Sequence, residues 1–457
     1  MNSSISLKEI NKFFNLKLKK IHITGASIDT RSLKKGNIFF ALEGNNFDGN
    51  DFIKRAESKG ASVAIVKRID HSSKLIQIKV NNTQKALREL ARFYRSLLQT
   101  KIIGITGSVG KTGTKDAISK LLNNKNSVFC SKKSYNNHIG LPIELLNMPK
   151  NSKYGFFELG MNHPGEISKL TKILQPEIAI ILNIENVHIG NFHSLKEIAK
   201  AKSEIFSATK SVKHLILNKD TNYFTFIKDL ANKHKIKHVY DLSTNENSSV
   251  YFCKINEKKN TISLSASVLQ NKKIDFNIRK DQHNLMGNIL AIIICFQIIG
   301  INPDVIKGFR NVSFSPGRGN VIKKYFNGFK QIVYDFTYNA SPVSMKANLE
   351  MFAKLNNNKQ TYIIGDMNEL GKASKKYHRE ILHYLLKLKY KNIIFVGPIF
   401  FSLRSVIKKK NIFFFQNINE VIYKIDKILN YDCNLFMKGS NSIKLNKLIS
   451  FMGQTRK

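Results

Sequence analysis

One short segment constrains this chain more than any other. The apolar run Ile102–Thr106 breaks into Gly107-Ser108-Val109-Gly110-Lys111-Thr112-Gly113 and resumes as the helical pattern Thr114–Leu122. Glycines between a strand and a helix let backbone N–H groups wrap around an anion, and the helix N-terminus adds favourable partial charge. A lysine at position 111 reaches the outer phosphates of a nucleotide, and the Thr112 hydroxyl suits a Mg²⁺ ion. Ile105 stands where the general phosphate-loop pattern wants a glycine, so the loop is a shortened one. The bland alternative is a Gly-rich turn with a solvated lysine. The strand–loop–helix context with Gly-Lys-Thr outweighs it, and ATP is the expected ligand.

Strand and helix patterns continue on both sides. Before the loop, Ile38–Leu42 and Ala61–Val66 read as strands around the Gly44–Asn50 turn, and Lys85–Leu98 reads as a helix. After it come the strand Tyr154–Glu158, a helix near Glu166–Leu174, the strand Ile178–Asn183, the helix Leu195–Phe206 and the strand Leu215–Leu217. That is the rhythm of a mostly parallel sheet covered by helices. Residues 244–280 alternate in short polar segments, an antiparallel extension, and His283–Ile299 is helical. From Ser315 a second α/β layer follows, with strands at Ile332–Asp335, Tyr362–Gly365, Ile393–Val396, Ile412–Phe415 and Leu435–Lys438 and helices such as Tyr377–Leu388. It lacks a G-x-G-x-x-G, so no dinucleotide is indicated. With 457 residues, an α/β protein of three domains is expected. These are a small α/β domain over 1–84, a central P-loop ATPase-like parallel-sheet domain over 85–313, and a Rossmann-like domain over 314–457.

Composition excludes several classes. Hydrophobic residues at 42% and charged ones at 23% suit a globular chain. The apolar stretch Ile289–Ile299 is too short to span a membrane. Lys8 and Glu9 stand where a secretory signal needs its apolar core, and the four cysteines lie far apart, which together favour a reducing cytoplasm without disulfides or structural zinc. Subtracting 32 acidic from 74 basic residues gives +42. The lysines are scattered and accompany an excess of Asn and Ile, so compositional bias explains them better than a nucleic-acid groove. The charge still favours anionic substrates and makes their binding salt-sensitive.

Several segments, in order, resemble the Mur ligase family, the ATP-dependent amide-forming enzymes of peptidoglycan precursor synthesis. They are T-G-S-V-G-K-T at Thr106–Thr112, S-I-D-T-R-S-L-K-K-G-N-I-F-F-A-L-E-G-N-N-F-D-G at Ser27–Gly49, Y-N-N-H-I-G-L-P at Tyr135–Pro142 and F-E-L-G-M-N-H-P-G at Phe157–Gly165. Tyr338–Pro342, Gly365–Gly371 (G-D-M-N-E-L-G) and Lys438–Ser440 (K-G-S) complete the set. The resemblance covers nearly the whole chain, and these segments are similar to the branch that adds D-alanyl-D-alanine. It implies a monomeric, ADP-forming ligase that joins D-alanyl-D-alanine to UDP-N-acetylmuramoyl-tripeptide through an acyl phosphate. Alternatives are another ligase of the same fold, a folylpolyglutamate synthase-like enzyme, or a basic P-loop NTPase acting on nucleic acid.

Site residues follow from both arguments. Glu158 ends a strand beside the phosphate loop, where a carboxylate next to Thr112 completes a Mg²⁺ site. The resemblance implies that His188 and Lys202, the latter carbamylated, hold a second Mg²⁺, that Asn288 contacts adenine, and that Arg318 meets the γ-phosphate. Asp335, at a strand end, is placed with the nucleotide. Tyr338, Asn339, Asp366 and Glu369 are candidates for orienting the dipeptide, with loop capping as their alternative. Asn136 and Asn137 belong to the substrate side. Thr30, Arg31, Phe47 and Asp48 look like UDP contacts, Arg31 by charge and Phe47 by stacking; a plain turn is their alternative.

Overall fold

The computed structural model describes residues 4–44, 47–122, 127–131, 135–185, 191–192, 194–244, 248–258, 261–269, 272–355 and 360–453. Continuous apolar runs without alternation demand burial on both faces, and the central strand Lys101–Thr106 meets that demand: every residue after Lys101 is buried. Tyr154–Glu158 lies on one side of it and Ile178–Ile181 on the other, both parallel. The order in which strands are added therefore reverses at this strand. The crevice at such a switch point is where α/β sheets bind ligands.

The full central sheet has nine strands. Val128–Cys130 forms one edge. Beyond Ile178–Ile181 come His214–Asn218 and His238–Ser243, then Val250–Glu257, Thr261–Val268 and Lys272–Arg279, the last two antiparallel. The antiparallel extension expected over 244–280 is thus present. Helix Met286–Ile298 packs on one face and is apolar on nearly every side, as a helix enclosed by protein must be.

A four-stranded parallel sheet precedes it, ordered Gly25–Ser27, Asn37–Phe40, Val63–Val66, Ile76–Lys79. Helix Thr83–Ser96 turns Ala86, Leu87, Leu90, Ala91 and Tyr94 inward at helical spacing. It joins this sheet to the central one in a single apolar core. Two polar contacts reinforce the junction. Asn147 exchanges two 2.9 Å hydrogen bonds with the backbone of Ala26, and Lys150 pairs with Glu9 at 2.8 Å.

The C-terminal sheet is ordered Asn320–Phe326, Phe329–Phe336, Cys433–Lys438, Gln360–Gly365, Asn392–Val396, Ile412–Phe415. Its first two strands form a hairpin through Asn327 and Gly328, both at positive φ, the conformation such a turn needs. The last strand of the chain inserts in the middle. Its carboxyl end, Lys438, therefore faces the same cleft as the loop at Gly317–Gly319.

Candidate active site

The phosphate loop is built by its neighbours. Asn183 accepts from the Val109 N–H at 2.9 Å and donates to the Val109 carbonyl at 3.1 Å, while the Ser108 hydroxyl bridges to the backbone of Glu185. Gly110 opens the helix Lys111–Leu121 at φ 87°, a conformation costly for any side chain. A Cβ there would also lie 2.4 Å from Asn288 Nδ2. Asn288 donates to the Thr114 hydroxyl at 2.7 Å, so it braces the start of this helix as well as lining the cavity.

Thr112 donates its hydroxyl proton to Glu158 Oε2 at 2.6 Å. Glu158 Oε1 is buried with no hydrogen-bond partner. A carboxylate oxygen left bare in the interior is costly, and beside a threonine hydroxyl and a phosphate cradle it suits a hard, oxygen-seeking cation. Among the described residues there is no group of three His, Cys, Asp or Glu placed to hold a metal, so a cation here would draw its other ligands from phosphate and water. His188 lies outside the described residues.

The cradle opens onto a cavity of 460 Å³ between the central and C-terminal sheets. Ser108–Gly113, Asn136, Lys202 and Asn288 line one wall, and Arg318, Tyr338, Asn339 and Lys438 the other. Lys111 donates to the Gly107 carbonyl at 2.6 Å. Burial pushes its pKa down; Glu158 opposes and Arg318 adds to the push. Lys202, 3% exposed, is pushed well below the usual lysine range by burial and then by Lys111. Arg318 stacks on the Tyr338 ring at 3.6 Å. Lys111 on the cradle side and Arg318 on the opposite wall bring positive charge to one cavity, which favours a polyphosphate.

Other expected residues stand elsewhere. Asp335 does not line the cavity: its Oδ2 accepts from the Gly317 N–H at 2.8 Å, and its Oδ1 from the Thr337 N–H and hydroxyl. It shapes the loop that presents Arg318. Asp366 accepts from the Ile399 and Phe400 N–H groups, capping a short helix, beside the buried His378. Glu369 sits at φ 63° outside the cavity lining. Asn137 caps the helix beginning at Gly140. Its neighbour Asn136 reaches the cavity, and a Cβ on Gly160 would strike it at 2.8 Å.

The N-terminal candidates form a separate polar patch. Arg31 is forked onto Asp29 and lies within electrostatic range of Tyr135, next to Asn136. Asp48 accepts from Asn50 and pairs with Arg68, which together lower its pKa. Phe47 is 58% exposed, and Thr30 is buried. Lys438 was recognisable only as part of K-G-S. Its position at the carboxyl end of an internal strand was the signal that marks it.

A phosphate cradle facing the cationic wall of a second α/β domain defines a nucleotide-dependent ligase. Models for three domains match in order: the Mur ligase family catalytic domain over residues 22–95, the Mur ligase middle domain over 105–296 and the Mur ligase glutamate ligase domain over 317–441. A UDP-N-acetylmuramoyl-tripeptide–D-alanyl-D-alanine ligase of Rickettsia prowazekii is 35% identical, with 94% of this chain and 95% of that protein covered. The Bacillus subtilis protein of the same name is 32% identical over 78% of this chain and 76% of its own. The crystal structure of MurF from Acinetobacter baumannii superposes with a TM-score of 0.83 at 26% identity, covering 99% of both chains. The chain belongs to the Mur ligase family. No helix among the described residues is long and apolar enough to cross a membrane.

Proposed function

We propose that this protein joins D-alanyl-D-alanine to UDP-N-acetylmuramoyl-tripeptide with conversion of ATP to ADP and phosphate, making the pentapeptide precursor of peptidoglycan. One observation carries the reading: a single cavity unites the phosphate cradle at Lys111 with Arg318 and Tyr338 of the C-terminal domain. The relatives named for this reaction cover nearly the whole chain, which favours it over a folylpolyglutamate synthase-like activity or a nucleic-acid NTPase.

The chemistry follows from the layout. A carboxylate in water does not condense with an amine, so the tripeptide carboxylate first attacks the γ-phosphorus, giving an acyl phosphate and ADP. The dipeptide amine then attacks the acyl carbon and phosphate leaves. Lys111 and Arg318 offset the negative charge that gathers on the transferring group, and their fixed positions avoid reorganisation at the moment of reaction. Thr112 and Glu158 would hold Mg²⁺, which supplies charge neutralisation on the phosphate oxygens. Lys202 stands in the cavity wall; the carbamate expected on it is a feature of other members of the family and is not shown here. Asn288 is assigned to the nucleotide side through its brace on the cradle helix.

The division of labour follows the three sheets. Residues 1–84 would hold the UDP moiety through the Arg31 and Phe47 patch, 85–313 the nucleotide and 314–457 the dipeptide. The four free thiols suit a reducing cytoplasm. The test is phosphate release measured with ATP, Mg²⁺, UDP-muramoyl-tripeptide and D-alanyl-D-alanine, omitting each in turn. Release that needs all four supports the reading; release stimulated by polynucleotide and indifferent to the peptide contradicts it.

A further inference from the structure

The strand Cys433–Lys438 runs between Phe329–Phe336 and Gln360–Gly365, so its carboxyl end lies at the middle of the C-terminal sheet. Lys438 is only 4% exposed, yet it lines the cavity that Lys111 lines from the opposite wall. Its Nζ donates to the Asn339 carbonyl at 2.9 Å and stands 5.8 Å from the centre of the Phe336 ring. Among the described residues no carboxylate pairs with it, which is unusual for a buried lysine.

The charged groups around Lys438 are all committed elsewhere or repel it. Arg318 is the nearest in effect. Asp335, on the adjoining strand, spends both oxygens on Gly317 and Thr337. Asp366, beyond the other adjoining strand, spends its oxygens on Ile399 and Phe400, and His378 beside it is driven toward its neutral form by burial. Tyr338 is covered by Arg318, and across the cavity stand Lys111 and Lys202. Burial, reinforced by Arg318, brings the Lys438 pKa down to about 7. A base of that strength is matched to proton transfer near neutral pH.

Resting on the ligase reading above, we propose that Lys438 accepts the proton shed by the incoming amine as it attacks the acyl phosphate. The amine nitrogen uses its lone pair to form the C–N bond. One of its N–H protons passes to the lone pair of neutral Lys438 Nζ, which becomes an ammonium. The C–O bond to phosphate breaks, and that electron pair leaves with inorganic phosphate. Lys438 returns its proton to water once the product has gone. The hydrogen bond to the Asn339 carbonyl holds Nζ in place during the transfer, and Asn339 and Tyr338 belong to the same wall.

Two half-reactions separate this role from a structural one. Acyl-phosphate formation is read in the absence of dipeptide by positional isotope exchange in ATP, and amide formation by product mass. In Lys438→Arg and Lys438→Met the first half-reaction stays within about twofold of wild type, and the second falls by about a hundredfold or more. Hydroxylamine is a weakly basic nucleophile whose adduct is acidic enough to lose its proton to water, so it restores capture of the acyl phosphate without Lys438. The wild-type amide step carries a limb at about pH 7 besides the one that the dipeptide's own α-amine sets at about 8, and both variants lose the limb at about 7 and keep the other. Equal loss in both half-reactions, or an unchanged pH profile in Lys438→Arg, overturns the assignment. Should both variants fail to fold, a wild-type amide step with no limb at about pH 7 beyond that of the dipeptide's own amine overturns it alone. Absence of isotope exchange in the wild type is a different failure, that of the ligase reading itself, and removes this proposal with it.

Discussion

Asp335 offers the sharpest separation between holding a loop and holding a ligand. Its two oxygens accept from the backbone N–H groups of Gly317 and Thr337 at 2.8 and 3.1 Å, plus the Thr337 hydroxyl at 2.7 Å. In Asp335→Asn one oxygen becomes an NH₂ group, so one backbone N–H loses its acceptor and meets a donor instead. The Thr337 hydroxyl can turn, but the backbone cannot. A buried donor left unsatisfied costs about 1–3 kcal/mol, and Asp335→Ala, which strands both, costs about 2–6 kcal/mol. Gly317 has no slack to absorb the change, since it sits at φ 80° with Tyr338 N only 2.7 Å from where its Cβ would be. The chain contains no Trp, so urea unfolding is followed by circular dichroism, alongside nucleotide affinity and turnover. Stability should fall by those amounts and turnover by about a hundredfold as Arg318 loses its seat. Nucleotide affinity of the resting enzyme should stay within about twofold, because the cradle is built from the other domain. Unchanged stability with a nucleotide affinity weakened by about tenfold would refute this and make Asp335 a direct nucleotide ligand.

Three further outcomes follow from the same geometry. Gly110→Ala meets both a positive φ and Asn288 Nδ2 at 2.4 Å, so nucleotide KM should rise by about ten- to hundredfold and the melting temperature should fall by about 2–4 °C per kcal/mol of strain; steady-state kinetics and calorimetry check this. Glu158→Gln keeps a hydrogen-bonding partner for Thr112 but removes the charge beside the bare oxygen, so the Mg²⁺ concentration for half-maximal activity should rise by about ten- to hundredfold. For Glu9, burial raises the pKa but the hydrogen bonds from Lys150 and Ser6 outweigh it, leaving the folded value below the unfolded one. Such a group stabilises above its unfolded pKa and loses that contribution as pH falls through the folded value. Glu9→Gln should therefore be less stable than wild type at neutral pH, with the gap closing in acid below about pH 4; equal stabilities at neutral pH would contradict it.

The features visible in the sequence are those whose physics is local. The cradle strand, its glycines and the following helix are contiguous, and Glu158 sits at the end of a wholly buried strand. The helix at Thr83–Ser96 begins two residues before the periodicity predicts because Asn82 caps it, accepting from Lys85 N–H. The edge strands Gly25–Ser27, Ile76–Lys79 and Asn320–Phe326 escape the apolar pattern, being very short or half exposed. Asn327-Gly328 was a legible hairpin signal for the last of them. Side-chain roles at strand ends were harder. A carboxylate that binds a ligand and one that holds a loop have the same sequence pattern, which is why Asp335 and Asp366 read as ligand contacts, whereas their oxygens accept from the N–H groups of Gly317, Thr337, Ile399 and Phe400. Lys438 is one of 74 cationic residues, and only the insertion of the last strand into the middle of its sheet sets it apart.

The most direct measurement is the mass of the nucleotide-linked peptide after incubation with ATP, Mg²⁺ and D-alanyl-D-alanine, for the wild type and for Lys111→Ala. A gain equal to the dipeptide less one water in the wild type, lost in Lys111→Ala, is the expected result. An unextended peptide in the wild type, or equal extension by the variant, would contradict the account.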